Sequence, residues 1–116
     1  MVERYPAGLV KILAYLHRKF KLPIYITEHG AASSDETFRE RDLRANLAAL
    51  HGAMADGVDV RGFFYWSLLD NFEWQFGYTK KFGLLAVDFA DEKLPRSLKP
   101  LAHVYTRICQ DNALSQ

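Results

Sequence analysis

Cysteine is almost absent from this chain. Cys109 is the only one, so no internal disulfide can form, and a reducing compartment, the cytoplasm, is the expected location. Long apolar runs are absent too. No stretch approaches the ~20 residues that a membrane-crossing helix needs, and Met1-Val2-Glu3-Arg4 lacks the apolar core of a signal peptide. An excess of one charge sign is also missing: 15 Lys and Arg stand against 14 Asp and Glu, a formal net charge of +1, with no basic run. That balance gives no reason to expect nucleic acid or a membrane surface as partner. The four histidines, His17, His29, His51 and His103, show no HExxH or other ligand spacing, so neither a metal nor another cofactor is expected.

What is present is an ordinary globular composition, 49% hydrophobic and 25% charged over 116 residues, enough for one small domain. Tyr5 to about Phe20 reads as a helix, with Pro6 in its first turn and Leu9, Ile12, Leu13, Leu16 and Phe20 on one face. Pro23 stops it, and the β-branched run Ile24–Thr27 reads as a strand. After a polar connection in which Ser34 or Asp35 can cap, a second helix runs to about Ala55, with Leu43, Leu47, Leu50 and Met54 as its buried stripe. A strand over Gly62–Trp66 follows, then the aromatic loop Leu69–Lys81, too long for a turn and too aromatic for a linker. Gly83–Asp88 is a short extended piece suited to a hairpin. Leu98 to about Gln110 is the last helix, with Leu101, Tyr105 and Ile108 inward, and Asn112–Gln116 should fray. There is no internal repeat, low-complexity tract or domain boundary.

Two segments carry chemistry. Ile24-Tyr25-Ile26-Thr27-Glu28-His29-Gly30 is an apolar strand ending in a carboxylate and a glycine. Gly62-Phe63-Phe64-Tyr65-Trp66-Ser67, continued by Leu68-Leu69-Asp70-Asn71-Phe72-Glu73-Trp74, delivers a second carboxylate between indoles. Glu28, Trp66, Glu73 and Trp74 thus fall at or beyond the carboxyl ends of two successive strands. Carboxylates serve acid–base or nucleophilic work on a sugar and bind its hydroxyls, while aromatic faces cover its C–H surfaces. A strand-end glutamate also serves as a helix cap or an arginine partner. From position alone, the two roles for Glu28 are evenly balanced.

At these residues the chain closely resembles the C-terminal part of a family-1 glycoside hydrolase, the retaining β-glucosidase family. Pro23 to Glu28 resembles the nucleophile strand, and Phe64 to Trp74 the sugar-binding segment. Gly77-Tyr78, Phe82-Gly83-Leu84 and Val87-Asp88 continue in register, and the likeness runs from Tyr5 to about Ile108. The long Trp-Ser-Leu-Leu-Asp-Asn-Phe-Glu-Trp match is highly specific; a bare Thr-Glu-x-Gly would be weak. The resemblance implies an α/β fold that is part of a (β/α)8 TIM barrel: strands seven and eight, each with its following helix, and the helix before strand seven. A whole barrel takes ~250 residues.

The resemblance further makes Glu28 the nucleophile, and Glu73 the acceptor for the sugar's 4- and 6-hydroxyls. Trp66 and Trp74 become the stacking platform and the 3-hydroxyl donor. Phe82 and Gln75 fall to rim packing or outer subsites. Asp70 and Asn71 should brace the loop through side-chain-to-backbone bonds. A cis peptide between Trp66 and Ser67 is implied as well. The substrate class implied is a β-glucoside or related small saccharide.

There are departures. His29 stands where the family normally has asparagine; next to Glu28 on a strand, it should point away from it. Asn46 stands where many relatives carry histidine, and reads as surface or interface variation. A retaining glycosidase needs a second carboxyl ~5–5.5 Å from the first to protonate the leaving group. The family takes it from an Asn-Glu-Pro segment, and none occurs here. Activity is therefore expected to require an N-terminal barrel segment. The rival expectation is a catalytically incomplete piece that self-associates or binds sugar only weakly, since two strands leave open edges. A 6-phospho-β-glycosidase is disfavoured, because those relatives carry a serine-type phosphate cradle where this chain has Glu73.

Overall fold

The computed structural model describes residues 4–114. Residues 115–116, the end of the segment expected to fray, lie outside the described residues. Pro6–Phe20 forms α1, Ile24–His29 β1, Glu36–Ala55 α2 and Val60–Tyr65 β2. A long loop containing one 3-10 turn, Trp74–Phe76, leads to β3 (Leu85–Val87), β4 (Arg96–Leu98) and α3 (Pro100–Asp111). β1 and β2 pair in parallel across the α2 crossover, and β3 pairs antiparallel with β4. Among the described residues no helix is long and apolar enough to cross a membrane.

Local chemistry explains the boundaries. Pro6 and Pro100 occupy first-turn positions, where the missing N–H costs nothing. Lys21, with φ 53°, closes α1 in the left-handed region and donates its N–H to the His17 carbonyl at 2.8 Å. Of the two expected caps for α2, Asp35 is the one used, its carboxylate accepting from the Phe38 N–H at 3.1 Å. One residue on, Glu36 accepts from the Leu101 N–H at 3.3 Å, so a carboxylate on α2 also caps α3.

Two apolar clusters lie on the helix-covered face of the parallel pair. Leu13, Leu50, Ala53, Val58 and Val60 form one, with Ile24 and Ile26 packed on it. Leu43, Leu84, Leu101 and Ala102 form the other, with Tyr65, Tyr105 and Ile108 alongside. Leu47 and Phe63 touch both.

Several expectations change here. Ile12, Phe20 and Met54 are exposed; Val10 and Ala14 join the packing on α1, and Ala53 takes the buried place expected of Met54. α1 packs on α2 and on the strand residues Val60 and Ile24 through Leu9, Val10, Leu13 and Ala14, so its apolar stripe is wider than its buried one. β2 starts at Val60, two residues earlier than expected, and Trp66 lies just past its end. Phe64 faces solvent, whereas Phe63 and Tyr65 are half-buried against the helices. Asn46 is buried at 4% exposure, its amide donating to the Asp42 carbonyl at 2.8 Å and to the Asp42 carboxylate at 3.2 Å. It is an interior polar contact, not surface variation.

Candidate functional site

Strict alternation along β1 would put Glu28 on the same face as Ile24 and Ile26, beneath the helices. That does not happen. Ile26 pairs with Phe63 and His29 pairs with Tyr65, so three steps on β1 meet two on β2 and the register slips by one residue. The slip inverts the parity of the strand end. His29 turns inward, its ring 5.5 Å from that of Phe63, while Thr27 and Glu28 are both exposed on the opposite face. Such irregularities re-aim side chains at strand ends.

The neighbouring strand end closes on this point. Trp66 donates its N–H to the His29 carbonyl at 3.0 Å, tying the two ends together at the last paired residues. Gly30 makes the approach possible: a Cβ there would lie 2.0 Å from the Trp66 carbonyl oxygen. The Trp66–Ser67 peptide is cis. The result is a cleft of about 300 Å³ walled by Glu28, His29, Gly30 and Trp66. A slightly larger hollow of about 330 Å³, lined in part by Ser33, Glu36, Asp70 and Lys99, lies elsewhere. Its buried carboxylate, Asp70, is already paired with Lys99, so the smaller cleft is the better candidate for chemistry.

Glu73, Trp74 and Phe82 sit beyond this cleft, on the loop that leaves β2 and returns to β3. Glu73 is held through its backbone: its N–H donates to the Gly77 carbonyl at 2.7 Å, and its carbonyl accepts from the Phe76 N–H at 2.8 Å. Trp74, with φ 41°, is 80% exposed, a large apolar surface left facing outward. The loop rests on packed rings, Phe72 edge-on to Tyr78 at 5.4 Å and Tyr78 tilted against Phe89 at 4.0 Å. Among the described residues neither the Glu28 nor the Glu73 carboxylate has a hydrogen-bond or ion-pair partner. Both are open to a ligand's hydroxyls.

The base of the loop is polar and buried. Asp70 accepts from the Gly83 N–H at 2.9 Å and from Lys99 Nζ at 2.8 Å. Asn71 donates to Ser67 Oγ at 3.2 Å and more weakly to the Leu69 carbonyl at 3.4 Å. These are the bracing contacts the sequence suggests for the pair. Gly83 is required there, since a Cβ would meet the Asp70 nitrogen at 2.2 Å and the Leu85 carbonyl oxygen at 2.5 Å.

The sequence reading passed over Arg39. Its guanidinium is fully buried, and it donates to Glu36 at 2.5 Å, to the Tyr65 hydroxyl at 3.0 Å and to the carbonyls of Phe82 and Gly83 at 2.5 and 2.7 Å. An arginine inside an apolar helical stripe, one turn after a cap, is the signal that could have flagged it. Burial pushes the Tyr65 phenol above its ordinary pKa, with the Arg39 charge acting against that shift.

The sequence matches the model of glycosyl hydrolase family 1 over residues 1–114. The chain belongs to this family. It is 37% identical to the β-galactosidase of Sulfolobus acidocaldarius, covering 98% of this chain and 23% of that enzyme. With β-glucosidase A of Acetivibrio thermocellus it shares 39% identity, over 93% of this chain and 26% of that one. Its structure superposes on the β-glycosidase of Pyrococcus horikoshii with a TM-score of 0.92 at 37% identity, over 98% of this chain and 26% of that one. The chain therefore spans about a quarter of the length of these family-1 relatives.

Proposed function

We propose that this chain forms the last two βα units of a (β/α)8 glycosidase barrel, β1 and β2 serving as strands seven and eight and α1 as the helix before them. Its reaction is the retaining hydrolysis of β-D-glucosides or related small saccharides, β-galactosides and β-fucosides among them, or transfer of the sugar to another hydroxyl. The observation that carries this reading is Glu28, turned by the register slip into a cleft shared with Trp66 and, among the described residues, left without a hydrogen-bond or ion-pair partner. Names of relatives, a β-galactosidase and a β-glucosidase, support the substrate class.

In this reading the ionised Glu28 carboxylate attacks the anomeric carbon, forming a glycosyl ester as the bond to the leaving oxygen breaks. The leaving oxygen takes a proton from a carboxylic acid on the N-terminal barrel segment, ~5–5.5 Å from Glu28. Water then attacks the same carbon, gives its proton to that residue and releases Glu28. Glu73 accepts hydrogen bonds from the 4- and 6-hydroxyls, Trp66 and Trp74 supply the stacking face and an indole donor, and Phe82 borders the rim. A charged acceptor left without its hydroxyl is costly, which makes Glu73 a determinant of sugar choice. No metal or other cofactor enters these steps.

The N-terminal segment is the partner this reading requires, on the same chain or as a separate one. Tyr25, Phe64 and Leu68 are exposed, at 56%, 57% and 64%, around the parallel pair, surfaces that adjoining barrel strands would cover. Those same surfaces favour the second reading, a non-catalytic piece that self-associates. A chromogenic β-glucoside assay on the purified chain, alone and with the N-terminal segment supplied, separates the two. Turnover only in the combined sample is expected. No turnover in either sample would favour the second reading.

A further inference from the structure

We propose that Arg39 is a positioning residue for the sugar site, locking the neck of the loop that carries Glu73 and Trp74. The inference takes its functional meaning from the glycosidase reading above, but it stands on contacts that do not depend on that reading.

The loop leaves β2 after Tyr65 and returns through Phe82 and Gly83. Arg39 binds at both ends of that neck. One amino group of its guanidinium donates to the Tyr65 hydroxyl on the outgoing strand, and to the Phe82 and Gly83 carbonyls on the returning chain. The other amino group is anchored by Glu36 one turn earlier on α2. A planar fork with fixed donors suits this task in a way that a flexible ammonium does not. The two carbonyls have few other partners: Phe82 O also accepts from the Ser67 N–H, at a long 3.4 Å.

Each residue so held adjoins a proposed sugar contact. Tyr65 precedes Trp66, and Phe82 is itself part of the rim. Backbone bonds also bridge this neck, the Leu84 N–H donating to the Ser67 carbonyl at 2.8 Å and the Leu85 N–H to the Leu68 carbonyl at 2.9 Å. The guanidinium adds the side-chain tie from Tyr65 to Phe82 and Gly83, next to Trp66, and through it helps hold Trp66 at the cleft. The alternative role for a buried arginine is to hold α2 against the rest of the fold, with no bearing on Trp66. The two roles predict different observables.

Tryptophan reports on this directly, because Trp66 and Trp74 are the only two in the chain. In a Trp74→Phe background, the emission and acrylamide quenching of the 116-residue chain read Trp66 alone, which is 37% exposed. Arg39→Met should shift the Trp66 emission to the red and raise its quenching constant by up to about 2.7-fold, the ratio of full to present exposure, while far-ultraviolet circular dichroism stays unchanged. Arg39→Lys should fall between the two. Tyr65→Phe, which removes one partner and leaves the arginine in place, should give a smaller change of the same sign. Should Arg39→Met lose its helical signal, the lysine and Tyr65→Phe variants decide.

A native Trp66 signal unmoved in every folded variant, with only the unfolding midpoint lowered, would overturn the positioning role. That result would leave the glycosidase reading standing. Conversely, failure of the combined sample to turn over substrate would not touch this inference.

Discussion

Asp70→Asn is the most informative stability test, because it changes one charge and almost no volume. The Asp70 side chain is 2% exposed and its carboxylate lies 2.8 Å from Lys99 Nζ, itself only 14% exposed. A second ammonium, Lys81, stands 4.0 Å away but is 36% exposed and contributes little. Asparagine can still accept from the Gly83 N–H, so the loss is chiefly the counter-charge of Lys99. Removing one partner of a buried pair costs about 3–5 kcal/mol, and water access to Lys99 puts this site at the lower end, about 3 kcal/mol. With a urea dependence of about 2 kcal/mol per molar, the midpoint should fall by roughly 1.5 M. The assay is urea unfolding followed by circular dichroism at one fixed protein concentration, since any assembly adds its own stabilisation. Asp70→Asn with Lys99→Met should recover most of the loss, because no buried charge is then left unpaired. A single variant costing under about 1 kcal/mol, or a double variant as unstable as the summed singles, would refute the reasoning.

Other outcomes follow from the same structure. Leu43→Ala empties a site that is 1% exposed between α2, Leu84 and Leu101, and should cost about 2–5 kcal/mol in the same urea assay. Tyr65 ionises less readily in the folded chain than its ordinary value of 10.0, because burial disfavours the phenolate. The unfolded chain therefore loses that proton first, and the Tyr65 contribution, complete below pH 10, is lost as pH rises through the folded value. Tyr65→Phe should flatten part of the alkaline decline in unfolding midpoint, and an unchanged slope would count against it. Glu28→Gln in the combined enzyme should abolish nearly all turnover while sugar binding persists, measured by kinetics and by inhibitor titration.

The main elements are legible in the sequence because each carries a local signal. Pro6, Pro23 and Pro100 punctuate the chain, and the β-branched run ending at Glu28 reads as a strand without any tertiary information. Asp35 was one of two cap candidates, and only the fold chose between them. What periodicity could not supply is the register slip before His29. A period of two sends Glu28 under the helices, and only pairing with β2 reverses it. Exposure of Ile12, Phe20 and Met54 was equally illegible, since a helix's apolar stripe does not say how much of it a neighbour covers. Asn46 was misread because a polar residue in a helix usually faces water, whereas here the Asp42 carbonyl and carboxylate receive its amide inside. Arg39 was missed for a different reason: apart from Glu36, its partners Tyr65, Phe82 and Gly83 are 26 to 44 residues away in sequence.

The central claim, that this chain carries the nucleophile of a retaining glycosidase, has one direct measurement. A β-glucoside bearing fluorine at carbon 2 and a good leaving group slows release of the sugar more than its capture, so a covalent intermediate accumulates. Incubated with the combined enzyme, digested and sequenced by mass spectrometry, the label should sit on the peptide containing Glu28 and be missing in Glu28→Gln. A label on any other residue, or continued turnover by Glu28→Gln, would contradict the account.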